Sequence, residues 1–510
     1  MQPDNPEITT EPQLDVSPKQ TRQDGFLNSR PTKMLFLYVV IVAFSHFMMG
    51  YDFGYVSQLL VWGDFDSSEL GERMFSTGDM TLITAAMPLG AFCGSLITWI
   101  LADSFGRKYV SIGGNLLMIA GGGIQCGAHT MWTLVGGRFV LGWGVGIGSV
   151  MAPLLITELS PPKYRGQMVM FVNLVRNFFE MLSFAIGLSF EESVGGFRVH
   201  IGVALAFIIV QTVALLFIPE SPRYLVQKGR TERAQKVFSL THEGVTAEEI
   251  EAKVVELMNV RKTSPFDKIR GIHSVSSNFK ALCLICLLQA VNQFTGMDAI
   301  LYYNDEYFGS GGWTQWSVIT CLTGSMGIIV AIPAYFLIDR MGRRFLLIIS
   351  LIGCILMLII NAAAASQTTF HIGNSGTRYS YETNYKALRA MVTGTILYSA
   401  FYHFGLGIVP WMQSETLPMS VRALGSSIAC AVHWIGSFTM TAAFFKMAKN
   451  MTPPGMYGFF IAVAFIGLVL LFLFYPELAN RDLETIPPML ANGINMKQNI
   501  KLSNLTRKPA

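Results

Sequence analysis

Long apolar stretches alternate with short polar ones along most of the chain. Most of the apolar stretches have the roughly 20 residues that a helix needs to cross about 30 Å of hydrocarbon. Six of them precede a polar stretch at 220–278, and six follow it. We therefore predict an all-α membrane protein with twelve transmembrane helices in two six-helix bundles. The predicted spans 1 to 12 lie near 34–60, 80–102, 108–128, 131–157, 166–190, 198–219, 279–308, 315–338, 345–365, 387–410, 422–446 and 455–475.

The polar stretches define the rest of the organisation. The first stretch carries five prolines and no apolar run, which predicts a disordered cytosolic tail. In the middle stretch, Thr246 and Glu249 form a capping-box sequence ahead of an amphipathic pattern, which predicts a surface helix. The predicted domains are a tail at 1–33, an N-terminal bundle at 34–219, cytosolic linker helices at 220–278, a C-terminal bundle at 279–475 and a second tail at 476–510.

Composition and charge support this interpretation. Of the 510 residues, 51% are hydrophobic and 14% are charged, with a mean hydropathy of +0.43, which excludes a water-soluble globule. A net charge of +4 is too small for a nucleic-acid-binding surface. If the N-terminus is inside, cytosolic segments hold 28 Lys and Arg residues and outer segments hold seven. We expect a monomer in the plasma membrane with both termini cytosolic, and no metal, cofactor or enzymatic activity.

Charged residues recur in the two halves at fixed offsets. One set recurs after 257 residues and another after 236, and the 21-residue polar stretch 366–386 accounts for the difference. The halves are therefore duplicates, related as a parallel repeat. The recurring pairs are Glu158 with Glu415, Arg165 with Arg422, Glu220 with Glu477, Asp103 with Asp339, and Arg107 with Arg343.

Most of these charges are predicted at the cytosolic ends of helices. Opposite charges at facing helix ends form partly desolvated pairs that hold the inner side of a two-bundle protein closed. The alternative is that they only anchor the topology as positive-inside residues. Their duplication favours a gate. The predicted inner gate comprises Asp103, Arg107, Glu158, Arg165, Asp339, Arg343, Glu415 and Arg422.

Several short motifs accompany the repeat. They include Gly50-Tyr-Asp52-Phe-Gly54, Gly137-Arg138-Phe-Val-Leu-Gly142, Pro219-Glu-Ser-Pro-Arg223, Asn292-Gln293-Phe-Thr-Gly296 and Pro410-Trp411. Together they resemble the sugar-porter family of the major facilitators, over residues of about 35 to 485. Spans 1, 4, 10 and 11 resemble the proton-coupled myo-inositol transporter branch. The resemblance implies the major facilitator fold and transport by alternating access.

Asp52 is the most informative residue on physical grounds. An ionised carboxylate inside hydrocarbon costs several kcal/mol, so an intramembrane acid needs a partner or a proton. Arg138 is predicted at a matching depth, since helical rise places the two residues about 15 Å and about 10 Å from the outer ends of their spans. An acid that exchanges Arg138 for a proton is a coupling site. The alternative is a permanently ionised structural bridge. The resemblance implies that Asp52 carries the proton, because the family's proton symporters have an aspartate at this position and its facilitators have a neutral residue.

Recognition of a polyol needs convergent amide and hydroxyl-bonding groups beside an aromatic face. Gly296 is a predicted break that exposes backbone at membrane depth. The resemblance implies an outer lid at Tyr302 and Tyr303. The candidate substrate residues are Asn173, Glu180, Asn292, Gln293, Asp298, Trp411, His433 and Trp434.

Some of these residues depart from the sugar-porter pattern. Glu180, Asp298 and His433 replace neutral amides, and span 8 lacks a polar side chain near Gly327. Three alternative roles are open for these titratable groups. They bind a hydroxyl-rich ring, they provide a second proton route, or they select another solute. Two structural alternatives stay open: Glu180 can pair with Arg176 on its own helix, and His433 can be a satisfied buried imidazole.

We therefore predict a transporter that imports a cyclic polyol or sugar with protons, with myo-inositol as the first candidate. One alternative is a hexose carrier, either facilitative or proton-coupled. The Asp52–Arg138 pair disfavours the facilitative form. The other alternative is a non-transporting sugar receptor of transporter fold. The short stretch after Pro476 disfavours a receptor, which usually needs a signalling extension.

Overall fold

The computed structural model describes residues 26, 29–65, 75–190, 195–258, 265–309, 316–367, 369–372, 379–382, 384–417 and 421–477. Within these residues the chain is built mainly from helices, and most are long enough to cross a bilayer. The predicted all-α membrane fold is confirmed. Most of both predicted tails lies outside the described residues.

The long helices occur at the positions of the twelve predicted spans. Spans 1 to 6, the N-bundle, are Lys33–Ala43 with the 3-10 turn Phe44–His46 and Phe47–Phe65, then Thr77–Phe105, Arg107–Cys126, Met131–Leu159, Arg165–Ser189 and Gly196–Leu215. Spans 7 to 12, the C-bundle, are Ser276–Phe294 with Met297–Gly309, then Trp316–Met341, Arg343–Ala365, Tyr385–Phe404 with the turns Val409–Met412 and Gln413–Thr416, Arg422–Asn450 and Thr452–Phe474.

Eleven of these spans, within the described part of the chain, have the length and apolar composition of a membrane helix. The remaining one, span 3, has 20 residues and five glycines, and it packs against spans 4 and 6. Large apolar side chains point away from the bundles, such as Val210 at 68% and Phe465 at 57% exposure. A surface of this kind is stable where lipid covers it. The protein is a multi-pass integral membrane protein.

The two bundles have the same internal arrangement. Span 1 packs on span 5, span 2 on span 4 and span 3 on span 6, and the corresponding pairs in the C-bundle are 7 with 11, 8 with 10 and 9 with 12. The bundles meet where span 2 contacts span 11, span 5 contacts span 8 and span 1 contacts the second half of span 7, Met297–Gly309. The packing therefore reproduces the duplication that the sequence predicts.

The turns before spans 3 and 9 show the duplication in atomic detail. Gly106 and Gly342 adopt φ values of +94° and +88°, which glycine tolerates best. The backbone N–H of Arg107 donates to Glu220 Oε1 at 2.9 Å, and that of Arg343 donates to Glu477 Oε1 at 3.0 Å. Each carboxylate thus binds the positive N-terminal end of a helix. Residues that recur at a fixed sequence offset make the same contact in both bundles.

Span 7 breaks where the sequence predicts it. Ser276–Phe294 ends two residues before Gly296, which has φ +87°, and the helix restarts at Met297. A Cβ atom on Gly296 would lie 2.5 Å from the Phe460 ring. The break therefore needs glycine both for its backbone conformation and for its close contact with span 12.

The described residues of the linker form four helices, Pro222–Gln227, Thr231–Thr241, Ala247–Met258 and Pro265–Ser274. The predicted capping box is present, because the N–H of Thr246 donates to Glu249 Oε2 at 2.8 Å and the N–H of Glu249 donates to Thr246 Oγ1 at 3.3 Å. The amphipathic helix that follows buries Ile250, Val254 and Leu257, as its pattern predicts.

The last part of the predicted N-terminal tail is folded against the linker, which differs from the expectation of disorder up to residue 33. Strand β1 (Arg30–Pro31) pairs antiparallel with β2 (His242–Glu243), and the Phe26 ring stacks on His242 with 4.6 Å between centroids. We call Phe26 and residues 29–32 the N-terminal strap. A short polar sequence with one aromatic residue carries no helix or strand periodicity, so the pattern did not reveal it.

The polar insertion 366–386 contains a second hairpin that the sequence analysis did not predict. Strand β3 (Thr369–Ile372) pairs antiparallel with β4 (Tyr379–Glu382), and Thr369 lies opposite Glu382. Spans 9 and 10, which flank the inserted segment, pack on each other as spans 3 and 4 do in the N-bundle.

We predict that Gly146→Ala destabilises the N-bundle. A Cβ atom on Gly146 would lie 2.1 Å from the carbonyl oxygen of Ala91, so spans 2 and 4 would have to separate. Overpacking of this kind costs about 1–3 kcal/mol, which thermal unfolding in detergent would show as a lower Tm. The control is Gly113→Ala, whose Cβ meets no atom within 4 Å. The account fails if both variants melt with the wild-type Tm.

We also predict that acidification loosens the N-terminal strap. Burial, together with the positive charges of Arg165, Lys253 and Arg223, lowers the pKa of His242 from 6.5 to about 3. The folded strap therefore holds a neutral ring, and this stabilisation is complete above pH 6.5 and declines as the pH falls towards 3. Linkage predicts that the protection factor of the Thr32 amide against hydrogen exchange falls about tenfold between about pH 7.5 and about pH 5.5.

The variant His242→Phe serves as the matched control for this experiment. It keeps a ring against Phe26 but has no proton to gain. Its protection factor should be the same at both pH values, whereas an equal decline in the variant and the wild type would refute the role of His242.

Candidate functional site

Asp52 and Arg138 form a bidentate ion pair between spans 1 and 4. Arg138 Nη1 lies 2.9 Å from Asp52 Oδ1 and Nη2 lies 3.0 Å from Oδ2, and both side chains are 0% exposed. Arg138 Nε also donates to the carbonyl oxygen of Ile83 at 2.6 Å. Paired hydrogen bonds offset the high cost of removing both charges from water. The structure thus brings together the two residues that the sequence pairs.

Tyr302 connects this pair to the other bundle. Its hydroxyl donates to Asp52 Oδ2 at 3.0 Å, and its ring lies against Phe53 with 4.6 Å between centroids. The sequence analysis placed Tyr302 in an outer lid and did not foresee this bond. Tyr303 remains in the C-bundle, where its hydroxyl donates to the carbonyl oxygen of Thr441 at 3.2 Å. Asp52 is therefore a junction between the bundles.

Span 5 presents a buried polar stripe towards spans 7 and 8. Asn173, Arg176, Asn177 and Glu180 stand at positions i, i+3, i+4 and i+7, which share one face of a helix. Each is at most 2% exposed. Within the described residues, both side-chain atoms of Asn173 and both carboxylate oxygens of Glu180 lack a hydrogen-bond partner. Buried polar groups without partners indicate a place where water or a solute binds.

Arg176 lies between two carboxylates. Its Nη2 is 3.7 Å from Glu180 Oε2 on the same helix and 3.9 Å from Asp298 Oδ1 on span 7. The pairing of Glu180 with Arg176, an alternative from the sequence, is therefore present, and Arg176 also contacts the opposite bundle. His403 Nε2 lies 4.0 Å from Glu180 Oε2. The sequence analysis missed Asp298 as a partner because the two residues belong to different bundles.

Two of the predicted substrate residues already have protein partners. Asn292 Nδ2 donates to the carbonyl oxygen of Leu406 at 2.7 Å, where span 10 is interrupted. His433 Nδ1 lies 3.0 Å from Gln289 Oε1, and His433 Nε2 lies 3.2 Å from Gln293 Nε2, so its ring bridges two amides of span 7. This arrangement matches the alternative of a satisfied buried imidazole. Gln293 Oε1 has no hydrogen-bond partner among the described residues.

The two predicted tryptophans differ in their surroundings. Trp434 Nε1 donates to Ser149 Oγ of span 4 at 3.1 Å, so it holds the bundles together. Trp411 packs edge-on against His46 and His433, with 5.2 Å and 4.7 Å between centroids. His46 lies in the 3-10 turn of span 1, and neither ring nitrogen has a hydrogen-bond partner within the described residues. The only feature of the sequence that indicated His46 as a site residue was a single imidazole within an apolar stretch.

Span 8 approaches span 5 through glycine. Asn177 Nδ2 donates to the carbonyl oxygen of Gly327 at 3.2 Å, and a Cβ atom on Gly327 would lie 3.4 Å from His403 Nε2. Span 8 therefore contributes a backbone carbonyl group near Gly327, where it lacks a polar side chain. We refer to Asn173, Arg176, Asn177, Glu180, Gln293 and Asp298 as the central polar site.

The described ion pairs of the predicted inner gate lie on the N-bundle side. Arg107 Nε lies 3.0 Å from Glu158 Oε2, and the Ser221 hydroxyl also donates to this carboxylate. Lys268 Nζ of the linker lies 2.5 Å from Asp103 Oδ2. These pairs connect spans 2, 3 and 4 with the linker, and do not themselves cross between the bundles as the predicted gate requires.

Hydroxyl groups of the two bundles meet near the predicted inner gate. Thr157 Oγ1 lies 2.8 Å from Ser414 Oγ, and these residues correspond to each other in the repeat. Repeat mates that touch lie on the pseudo-twofold axis. Arg422 of the C-bundle contributes to the positive field at Glu158, and Arg422 Nε donates to the carbonyl oxygen of Leu417 at 3.1 Å.

Two further predicted gate residues, Arg165 and Arg343, donate hydrogen bonds to backbone carbonyl groups. Arg165 Nε donates to the carbonyl oxygen of Thr157 at 3.3 Å. Arg343 Nη1 donates to the carbonyl oxygen of Ile338 at 3.5 Å. The side chains of Asp339 and Glu415 lie outside the described residues.

Comparison with known proteins is consistent with this geometry. Residues 38–490 match the family described as sugar (and other) transporter. The chain is 32% identical to myo-inositol transporter 1 of Saccharomyces cerevisiae over 96% of this chain and 86% of that one, and 32% identical to myo-inositol transporter 1 of Candida albicans over 94% and 87%.

A solved structure has the same fold. The proton:xylose symporter XylE bound to 6-bromo-6-deoxy-D-glucose superposes with a TM-score of 0.75 at 18% identity, over 89% of this chain and 98% of XylE. These matched proteins are membrane transporters and not enzymes. The chain belongs to the sugar-porter family of the major facilitator superfamily.

Proposed function

We propose that the protein imports a cyclic polyol, with myo-inositol as the first candidate, by proton symport and alternating access. Support comes from the names of its fungal relatives and from the junction at Asp52. One carboxylate holds Arg138 of its own bundle and accepts a hydrogen bond from Tyr302 of the other bundle. A proton on this carboxylate therefore acts on both contacts at once.

The ionised state of Asp52 favours closure on the outer side. The negative carboxylate neutralises Arg138 and attracts the Tyr302 hydroxyl, and a hydrogen bond to a charged acceptor is about twice as strong as a neutral one. Tyr302 lies in the outer half of span 7, Met297–Gly309, so this bond ties the outer end of the C-bundle to span 1.

Protonation of Asp52 weakens both contacts. Arg138 then retains the carbonyl oxygen of Ile83 at 2.6 Å and the face of Tyr55, whose centroid is 5.9 Å from the guanidinium carbon. A guanidinium that keeps these contacts does not have to leave the membrane. The outer half of span 7 is freed, and the solute reaches the central polar site from outside.

Solute binding then restores contact between the bundles. Hydroxyl groups of a polyol bridge span 5, at Asn173 and Glu180, and span 7, at Gln293 and Asp298. Once the proton is bound, the outer side therefore closes again only when the solute is bound as well. Separation of Thr157 from Ser414 opens the inner side, and loss of the proton to the cytosol restores the Asp52–Arg138 pair.

We further propose that the protein resides in the plasma membrane as a monomer with both termini in the cytosol. The excess of Lys and Arg in the segments assigned to the cytosol supports this orientation. It also puts the Thr157–Ser414 contact on the cytosolic side and Tyr302 on the outer side. Protons and polyol then move inwards together under an inward proton gradient.

We predict that Asp52→Asn abolishes concentrative uptake but retains exchange. The amide is neutral, so the variant resembles the permanently protonated state and no proton needs to bind or leave. Reconstituted vesicles with an acidic outside should show at least about a tenfold loss of myo-inositol accumulation, since a neutral residue removes the coupling step. Exchange of labelled for unlabelled myo-inositol at equal pH should continue.

The control for this prediction is Asp267→Asn, which neutralises an exposed acid of the linker and should leave both activities unchanged. Undiminished accumulation by Asp52→Asn would contradict symport through this residue. If wild-type vesicles equilibrate a hexose without any response to pH, the facilitative alternative holds. Binding without uptake would favour a receptor.

The orientation predicts a specific labelling pattern. An epitope added before Met1 should bind antibody only after cells are permeabilised, because the N-terminus is cytosolic. An epitope inserted between residues 373 and 378, in the segment between spans 9 and 10, should bind antibody on intact cells. The reverse pattern would contradict the proposed direction of transport.

A further inference from the structure

The last linker helix, Pro265–Ser274, exposes apolar side chains that the transport cycle does not use. Phe266 is 85% exposed, more than any other large apolar side chain among the described residues, and Ile269 is 45% exposed. Ile272, on another side of the same helix, is buried. A single apolar residue on a surface needs no explanation, but several along one helix indicate a surface that a partner covers.

Contacts with the inner ends of three spans fix the position of this helix. Lys268 Nζ lies 2.5 Å from Asp103 Oδ2, near the end of span 2. Asn278 Nδ2, in the first turn of span 7, donates to the carbonyl oxygen of Gly271 at 3.0 Å. A Cβ atom on Gly271 would lie 3.8 Å from Val421, the residue before span 11. The helix therefore lies across the inner ends of the spans.

The length of span 2 places this helix at the level of the lipid head groups. The 29 residues of span 2 rise about 44 Å, and a bilayer with its head-group regions is about 40–45 Å thick. Phe105, the last residue of span 2, is exposed, as expected for a side chain that faces lipid. Because Lys268 contacts Asp103, two residues before this end, the last linker helix lies beside the membrane boundary.

The exposed residues of the helix form two adjacent faces. On the apolar face, Phe266, Ile269 and His273 have the spacing i, i+3 and i+7, which places them on one side of a helix. The neighbouring face is polar and has the same spacing. It comprises Asp267, Arg270 and Ser274. A helix that exposes both kinds of face is suited to a boundary between hydrocarbon and water.

The apolar face continues onto the lipid-facing side of span 7. The rings of His273 and Phe279 lie 5.8 Å apart between centroids, and Phe279 is exposed. Cys283, one helical turn further along span 7, is exposed as well. These two residues of span 7 point away from the C-bundle, where lipid covers the protein. The apolar face of the last linker helix therefore adjoins a surface that lipid already covers.

We infer that the last linker helix lies in the interface of the inner leaflet, with Phe266 and Ile269 inserted among phospholipid acyl chains and the polar face towards water. Arg270, one turn from Phe266, lies at the border of the two faces, where a guanidinium pairs with a lipid phosphate. The inserted side chains hold Lys268 beside Asp103, a residue of the predicted inner gate. This inference goes beyond the proposed function, since it names a partner of the linker and holds for any solute.

Photo-crosslinking from single positions tests what surrounds each face. The photoreactive residue p-benzoylphenylalanine replaces Phe266 or Ile269 on the apolar face, or Asp267 or Ser274 as matched controls on the polar face. Each protein is reconstituted into liposomes of phosphatidylcholine and phosphatidylglycerol and irradiated, and its intact mass is measured for added phospholipid. Because an interfacial helix buries only its apolar face in lipid, positions 266 and 269 should give at least about fivefold more phospholipid adduct than positions 267 and 274.

A second measurement uses natural amino acids and reports on the stability of the helix in the membrane. In nanodiscs, Phe266→Gln should raise the hydrogen-exchange rate of the amides of residues 267–274 at least about threefold, because a lost apolar anchor favours local opening. The control Ser274→Gln, on the polar face, should leave this rate within about twofold of the wild type. Both side chains are exposed, so neither substitution removes packing within the protein.

Equal adduct yields at the four positions, or no phospholipid adduct at positions 266 and 269, would overturn the inference. Crosslinks from position 266 to a second copy of the chain, or to another segment of the same chain, would mean that protein covers the apolar face and would overturn it as well. An unchanged exchange rate in Phe266→Gln would contradict the anchoring role of this side chain. Neither measurement involves solute or a pH gradient, so a failure of the Asp52 experiment leaves the result intact.

Discussion

The bidentate pair of Asp52 and Arg138 is the interaction on which the rest of the site depends. Both groups are removed from water, so each charge is tolerable only while the other remains within hydrogen-bond distance. Tyr302 adds a third contact from the opposite bundle. In the proposed transport cycle, a single protonation event at Asp52 therefore changes both the charge balance within the N-bundle and the contact between the bundles.

The duplication of the chain explains how a change on the outer side reaches the inner side. Equivalent spans pack alike in the two bundles, and Glu220 and Glu477 cap equivalent helices. Thr157 and Ser414, which are repeat mates, meet at the pseudo-twofold axis on the inner side. A rigid rotation of one bundle against the other about this axis changes the inner and outer contacts in opposite directions.

Sequence reasoning predicted what depends on local pattern or on the cost of a buried charge. Apolar length predicts the spans, Gly296 predicts the break in span 7, and the cost of an isolated carboxylate predicts a partner for Asp52. The bond from Tyr302 and the contact of Arg176 with Asp298 were missed, because they depend on the register between two bundles. That register arises from tertiary packing, which no periodicity within one span encodes.

The most direct test of the central claim is whether protons move with the solute. Weakly buffered vesicles at equal pH on both sides would receive an outside pulse of myo-inositol, and a pH electrode would record the external solution. The account predicts that the external solution becomes more alkaline in a constant ratio to the solute taken up. Uptake of solute with no change in external pH would contradict it.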